Sequence, residues 1–105
     1  MPSIESLEKL IGSARDGALL RYSLGVEYAK AGDPARAVNA LKEALSRDPG
    51  YSAAWKALGK TLEQQSLGSE ALEAYRSGIE AARKKGDRQA EKEMTVFARR
   101  LERQG

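Results

Sequence analysis

The chain has 105 residues, of which 41 % are hydrophobic and 31 % are charged, enough for one core and a polar surface. It contains no cysteine and no histidine, which excludes disulfides, thiolate metal sites, cysteine nucleophiles and histidine general bases. The net charge is +3, and the basic excess lies in residues 76–105, where nine basic side chains accompany five acidic ones.

The sequence shows no sign of a membrane or secretory segment. No apolar run approaches the roughly 20 residues that cross a bilayer, so no membrane span is predicted. The first residues lack a basic region followed by an apolar stretch, so we expect no secretory signal. These features predict a cytoplasmic location.

Six helices are predicted from apolar positions that recur every three or four residues. In chain order they cover about residues 3–13, 18–31, 34–47, 53–65, 69–85 and 88–103. Gly32 is expected to end the second helix in a left-handed conformation, and Asp33 to cap the third. Asp48-Pro49-Gly50 stops the third helix, and Ser52 can cap the fourth. The short connections predict antiparallel hairpins.

An internal repeat appears when the chain is compared with itself at a shift of 34 residues. The matching positions are Leu24-Gly25 with Leu58-Gly59, Ala37 with Ala71, and Leu41 with Tyr75. The first helix keeps the apolar phase of the second helix of a repeat. The last helix breaks the register and carries one apolar stripe, as a terminal cap needs. That stripe consists of Ala90, Met94, Phe97 and Leu101.

The repeat carries small residues at two positions and large residues beside them, in a recognisable order. The second copy has Trp55, Leu58, Gly59, Leu62, Ala71 and Tyr75. The first copy has Arg21, Leu24, Gly25, Tyr28, Ala37, Leu41, Ala44 and Pro49. This pattern resembles the tetratricopeptide repeat. Three residues depart from the pattern. Arg21 stands where tryptophan is usual, Gly78 where alanine is usual, and Arg83 where proline is usual. The departures suggest that the first and last interfaces differ from the internal one.

The resemblance implies an all-α fold, a right-handed α-solenoid of antiparallel helix hairpins with about six helices. Residues 1–105 would form one domain. It would hold a half-repeat helix at 3–13, repeats at 18–51 and 52–85, and a capping helix at 87–103.

No catalytic constellation is predicted, because the acidic residues and lysines are scattered at solvent-facing spacings. The pairs Glu27/Lys30 and Glu43/Arg47 are typical of helix-surface ion pairs, and Asp87 is predicted to cap the last helix. We therefore expect a non-enzyme without cofactor, metal or small-molecule substrate.

The resemblance implies a protein or peptide partner on the concave face formed by the first helix of each repeat. The corresponding positions are Leu19, Tyr22, Val26, Lys30, Lys56, Lys60 and Glu63. The first three form an apolar patch, and the lysines of the second repeat make a basic one. Such a groove suits a segment with a hydrophobic anchor beside an acidic group. A chaperone-tail clamp is not predicted, because Tyr22 and Val26 replace the lysine and asparagine that it needs.

Several alternatives remain open at this stage. The apolar patch could pack against the first helix, and the two lysines could be a solvated face. The chain could self-associate weakly through an exposed repeat edge. The basic end could contact nucleic acid or an anionic membrane surface. Its cations are Arg83, Lys84, Lys85, Arg88, Lys92, Arg99, Arg100 and Arg103. Acidic residues alternate with these cations along the sequence, which favours a solvated cap, and nucleic-acid binding is not expected.

Overall fold

A computed structural model describes residues 3–104, and that part of the chain folds into six α-helices. They are α1 (Ile4–Glu8), α2 (Ala18–Lys30), α3 (Pro34–Arg47), α4 (Ser52–Gln64), α5 (Gly68–Lys85) and α6 (Arg88–Gln104). Consecutive helices from α2 to α6 pack against one another, and α2 and α6 also contact α4. The predicted all-α architecture is confirmed.

Local capping explains the helix boundaries between α2 and α3 and between α5 and α6. Asp33 caps α3 by accepting a hydrogen bond from the Arg36 N–H, and the preceding Gly32 has a φ of +79°. Gly86 ends α5 with a φ of +74°, and the Asp87 carboxylate accepts from the Ala90 N–H at the start of α6. The predicted roles of Gly32, Asp33 and Asp87 are confirmed.

The first helix is shorter than predicted, because α1 ends at Glu8 and not near residue 13. Beyond it, turns continue through hydrogen bonds between residues three apart, such as the Leu10 N–H to the Leu7 carbonyl. Gly12 then adopts a φ of +81°, and its N–H donates to the Asp16 carboxylate at 2.9 Å. Successive turns and a helix place apolar side chains at similar spacing, so periodicity alone could not separate them.

Two other predicted boundaries are corrected at the starts of α4 and α5. Helix α4 begins at Ser52, whose side chain does not cap it. The Ser52 hydroxyl donates instead to the Asp87 carboxylate at 3.2 Å, which links the start of α4 to the turn before α6. Helix α5 begins at Gly68, after Ser66 makes the turn with a φ of +64°.

Equivalent close approaches recur in the two repeats. A Cβ atom at Gly25 would lie 2.6 Å from the Leu41 Cγ, and one at Gly59 would overlap the Tyr75 ring. Leu41 and Tyr75 are fully buried, so neither side chain has free space to move into. Each glycine therefore lets two helices cross closely over a large side chain of the same repeat.

The apolar core has two parts. The larger cluster joins α3, α4, α5 and α6 around Leu41, Leu58, Tyr75 and Met94. The smaller cluster joins α1 to α2 and α3 and includes Leu7, Leu20, Leu24, Tyr28, Ala37 and Ala40. Because α1 is only five residues long, the N-terminal end carries less apolar cover, and Ile11 stays 43 % exposed.

Candidate binding surface

The α2 half of the predicted surface carries an exposed apolar patch. Leu19 is 68 % exposed, and the half-buried Tyr22 and Val26 follow three and seven residues later, on the same helix face. Lys30 lies further along this face, with its Nζ 3.6 Å from the Glu27 carboxylate. The structure therefore brings together the first four predicted positions, and Leu19 is not covered by α1.

Tyr22 also has a structural role. Its ring lies against that of Tyr51, with centroids 5.0 Å apart and planes tilted by 35°. Both rings pack against the larger core cluster and not against the cluster built on α1. Burial raises the pKa of Tyr51. Tyr51 was not among the predicted site residues, because it precedes α4 and lies outside the repeat positions that were compared.

The α4 half of the surface is paired with α6. The Lys56 Nζ lies 3.0 Å from the Glu93 carboxylate, and the Glu63 carboxylate accepts from Arg100 at 2.8 Å. Between these pairs, the Lys60 Nζ lies 5.0 Å from the centroid of the Phe97 ring. All three contacts join residues 37 apart, so α4 and α6 run parallel. The α4 positions are therefore not an open basic patch.

The ion pairs along this surface are only partly sheltered. The side chains of Lys56 and Glu93 are 31 % and 41 % exposed, and those of Arg100 and Glu63 are 50 % and 21 % exposed. Pairs of this exposure are worth roughly 1 kcal/mol or less. A carboxylate from a ligand could therefore compete with Glu93 for Lys56 at small cost.

Two negative findings concern the part of the chain that the structure describes. Among residues 3–104, no group of three or more acidic side chains is placed to hold a metal ion. None of the helices in this range combines the length and apolar character that a bilayer crossing needs.

Comparison with known proteins identifies the family. The tetratricopeptide repeat pattern matches residues 22–86, more than half of the chain. This chain belongs to the tetratricopeptide repeat family. A tetratricopeptide repeat-containing protein of Pseudomonas aeruginosa is 47 % identical over 100 residues, covering 95 % of each chain.

Solved structures show the same fold. The solution structure of a protein from Bordetella parapertussis has a TM-score of 0.82 and 44 % identity, over 96 % of this chain and 88 % of that one. The crystal structure of a tetratricopeptide repeat domain protein from Salinibacter ruber has a TM-score of 0.77 and 29 % identity. It aligns over 83 % of this chain and 97 % of that one.

The first departure from the tetratricopeptide pattern is explained by an ion pair. Arg21, in the position of the usual tryptophan, donates two hydrogen bonds of 2.9 Å to the Asp16 carboxylate. The Arg21 guanidinium, together with the Gly12 N–H, holds the pKa of Asp16 well below its usual range. Arg21 therefore ties the loop between α1 and α2 to the first repeat, where a tryptophan would only fill space.

The other two departures belong to the junction with α6. A Cβ atom at Gly78 would overlap the Met94 Sδ, so the usual alanine would not fit beneath α6. Arg83 allows α5 to continue to Lys85 where proline would stop it, and its guanidinium contacts Glu91 of α6 at 3.2 Å. Both end interfaces thus differ from the internal one, as the sequence suggested.

Proposed function

We propose that this protein is a non-catalytic interaction module that binds a segment of a partner protein along the face lined by α2 and α4. The observation that carries the proposal is Leu19, a large apolar side chain that is 68 % exposed beside Val26 and Tyr22. Full burial of a leucine side chain contributes about 1.5–3 kcal/mol. A partner that covers Leu19 would therefore gain an apolar anchor at a surface that is already folded.

The ligand that suits this face has an apolar residue beside an acidic one. The apolar residue would lie against the α2 patch, and the acidic residue would replace Glu93 at Lys56. Because Lys56 and Lys60 lie one helical turn apart, both ammonium groups can attract the same carboxylate. Such charges raise the association rate more than they add affinity.

The test begins with a partner captured from a lysate of the source organism, with binding rates then measured for purified variants. Leu19→Ser should weaken binding about tenfold or more, because the anchor is lost. Leu67→Ser is the matched control, because Leu67 is also exposed (39 %) but lies at the start of α5. It should bind like the parent.

Two further variants separate anchoring from steering. The double change Lys56→Glu/Lys60→Glu should slow association and flatten its dependence on salt. Tyr22→Ala is less informative. Tyr22 also packs on Tyr51, so the loss of its ring would reduce the stability of the fold as well as binding. Unchanged binding by Leu19→Ser would exclude this face as the contact surface. Light scattering of the isolated parent distinguishes a self-associating structural role.

A further inference from the structure

The outer face of α6 carries a stripe of basic side chains. Its residues follow one another at intervals of three or four, which places them on one side of the helix. They are the basic Arg88, Lys92, Arg99 and Arg103 and the apolar Val96. All five are exposed, and Val96 is 62 % exposed. The opposite side of α6 is the one that enters the core. We call these five residues the α6 outer stripe.

The acidic residues of α6 do not face this stripe. Glu91 contacts Arg83 of α5 at 3.2 Å, Glu102 contacts Arg76 of α5 at 2.7 Å, and Glu93 contacts Lys56 of α4. The three carboxylates therefore lie along the two edges where α6 meets its neighbours. Helical spacing separates the basic residues from these carboxylates. The packing of α6 then turns the carboxylates toward α4 and α5 and leaves the basic side outward.

The cations of the stripe lack acidic partners within the described range. Among residues 3–104, no carboxylate forms an ion pair with any of its four basic side chains. At a rise of 1.5 Å per residue, these four cations extend over about 22 Å along the axis of α6. Three of the four are arginines, and one planar guanidinium group can donate two parallel hydrogen bonds to a phosphate.

We propose that the α6 outer stripe binds the phosphate backbone of nucleic acid without reading the base sequence. A duplex presents about one negative charge per 1.7 Å of its axis, so phosphates are available along the whole length of this line of unpaired cations. The only aromatic residue of α6, Phe97, lies between Lys60 and Arg100 and is half-buried. It offers no exposed ring on which bases could stack.

The other anionic partners fit the stripe less well. A protein interface draws its affinity from buried apolar or aromatic anchors, and the stripe offers Val96 alone. A helix that lies in a membrane surface inserts an apolar face rich in large side chains. In α6 that face is already used, because Met94 and Ala98 are buried in the core.

The proposal is tested by the salt dependence of binding to a fluorescently labelled duplex of about 20 base pairs, measured by anisotropy. For four phosphate contacts, a plot of the logarithm of the association constant against the logarithm of the salt concentration should have a slope of about −3.6. The affinity should therefore drop roughly 100-fold between about 50 mM and about 200 mM salt. The triple variant Lys92→Gln/Arg99→Gln/Arg103→Gln should reduce the slope to about −1.

The matched control removes the same charge elsewhere. Lys9, Arg15 and Lys42 are exposed and form no ion pair among the described residues, so changing all three to glutamine lowers the net charge equally. This control should keep a slope near that of the parent. Far-UV circular dichroism checks that both triple variants remain folded.

Three results would overturn the proposal. The first is no binding of the duplex at low salt. The second is an equal loss in both triple variants, which would mean that net charge alone acts. The third is binding of the parent to vesicles containing phosphatidylserine but not to the duplex, which would identify a membrane contact. Leu19→Ser should leave duplex binding unchanged. Failure of duplex binding is therefore distinguishable from failure of the proposed peptide site.

Discussion

Substitution of Gly59 by alanine tests the closest helix crossing of the repeat core. The added methyl group would overlap the ring of Tyr75, which is fully buried. That ring also packs against Phe97, with centroids 5.4 Å apart, so it cannot rotate aside without disturbing the contact between α5 and α6. We therefore expect α4 and α5 to move apart.

The expected magnitude follows from two opposing contributions. Overpacking a well-packed site costs about 1–3 kcal/mol. Replacing glycine by alanine within a helix returns about 1 kcal/mol through helix propensity. Gly59→Ala should therefore destabilise the fold by about 0–2 kcal/mol, which lowers the midpoint by about 4–8 °C for each kcal/mol.

The free energy is measured by urea unfolding and the midpoint temperature by thermal unfolding, both followed by the fluorescence of the single tryptophan, Trp55, and by far-UV circular dichroism. Gly68→Ala is the control, because a Cβ atom there meets nothing within 4 Å. Gly25→Ala should also destabilise the fold, because a Cβ atom there would lie 2.6 Å from the Cγ of the fully buried Leu41. If Gly59→Ala proved as stable as Gly68→Ala, the close crossing would not constrain the fold as we argue.

Three further predictions use the same unfolding measurement. Trp55→Ala should cost about 2–3 kcal/mol, below the about 3–5 kcal/mol of a fully buried ring. The reason is that Trp55 is half-buried, although its Nε1–H donates to the Pro49 carbonyl at 2.8 Å. A loss above that range would mean the ring is more tightly packed. Tyr75→Phe should be neutral or slightly stabilising, because no well-aligned hydrogen bond reaches the buried Tyr75 hydroxyl, whose pKa is raised by burial; a marked loss would reveal a partner for that hydroxyl. Asp16→Asn should destabilise the chain at neutral pH and reduce its acid sensitivity. The folded pKa of Asp16 lies below its usual value of about 3.9, so the carboxylate stabilises the fold above about pH 4. That contribution is lost as the pH falls through the folded pKa, and equal acid sensitivity in parent and variant would contradict it.

Much of the fold was predictable from the sequence because its determinants are local or strictly periodic. The carboxylates of Asp33 and Asp87 cap their helices by accepting from backbone N–H groups three residues later, so both roles can be predicted from the local sequence. The pairs Gly25 with Leu41 and Gly59 with Tyr75 are related by the 34-residue shift, and the structure places each pair in contact. The apolar patch on α2 was predicted from the resemblance to the tetratricopeptide repeat.

The tertiary structure decided what each face of a helix meets. Helical periodicity shows that Lys56 and Lys60 share a face, but not that α6 lies beside them with Glu93 and Phe97. It also could not show that α6 turns its acidic residues toward α4 and α5 and its basic stripe outward. After α1, the Asp16 carboxylate accepts hydrogen bonds from the Gly12 N–H and from Arg21, which joins the turns that follow α1 to the first repeat. These features arise from contacts between separate segments, and a single sequence records the order of residues but not the rotation and offset at which its helices pack.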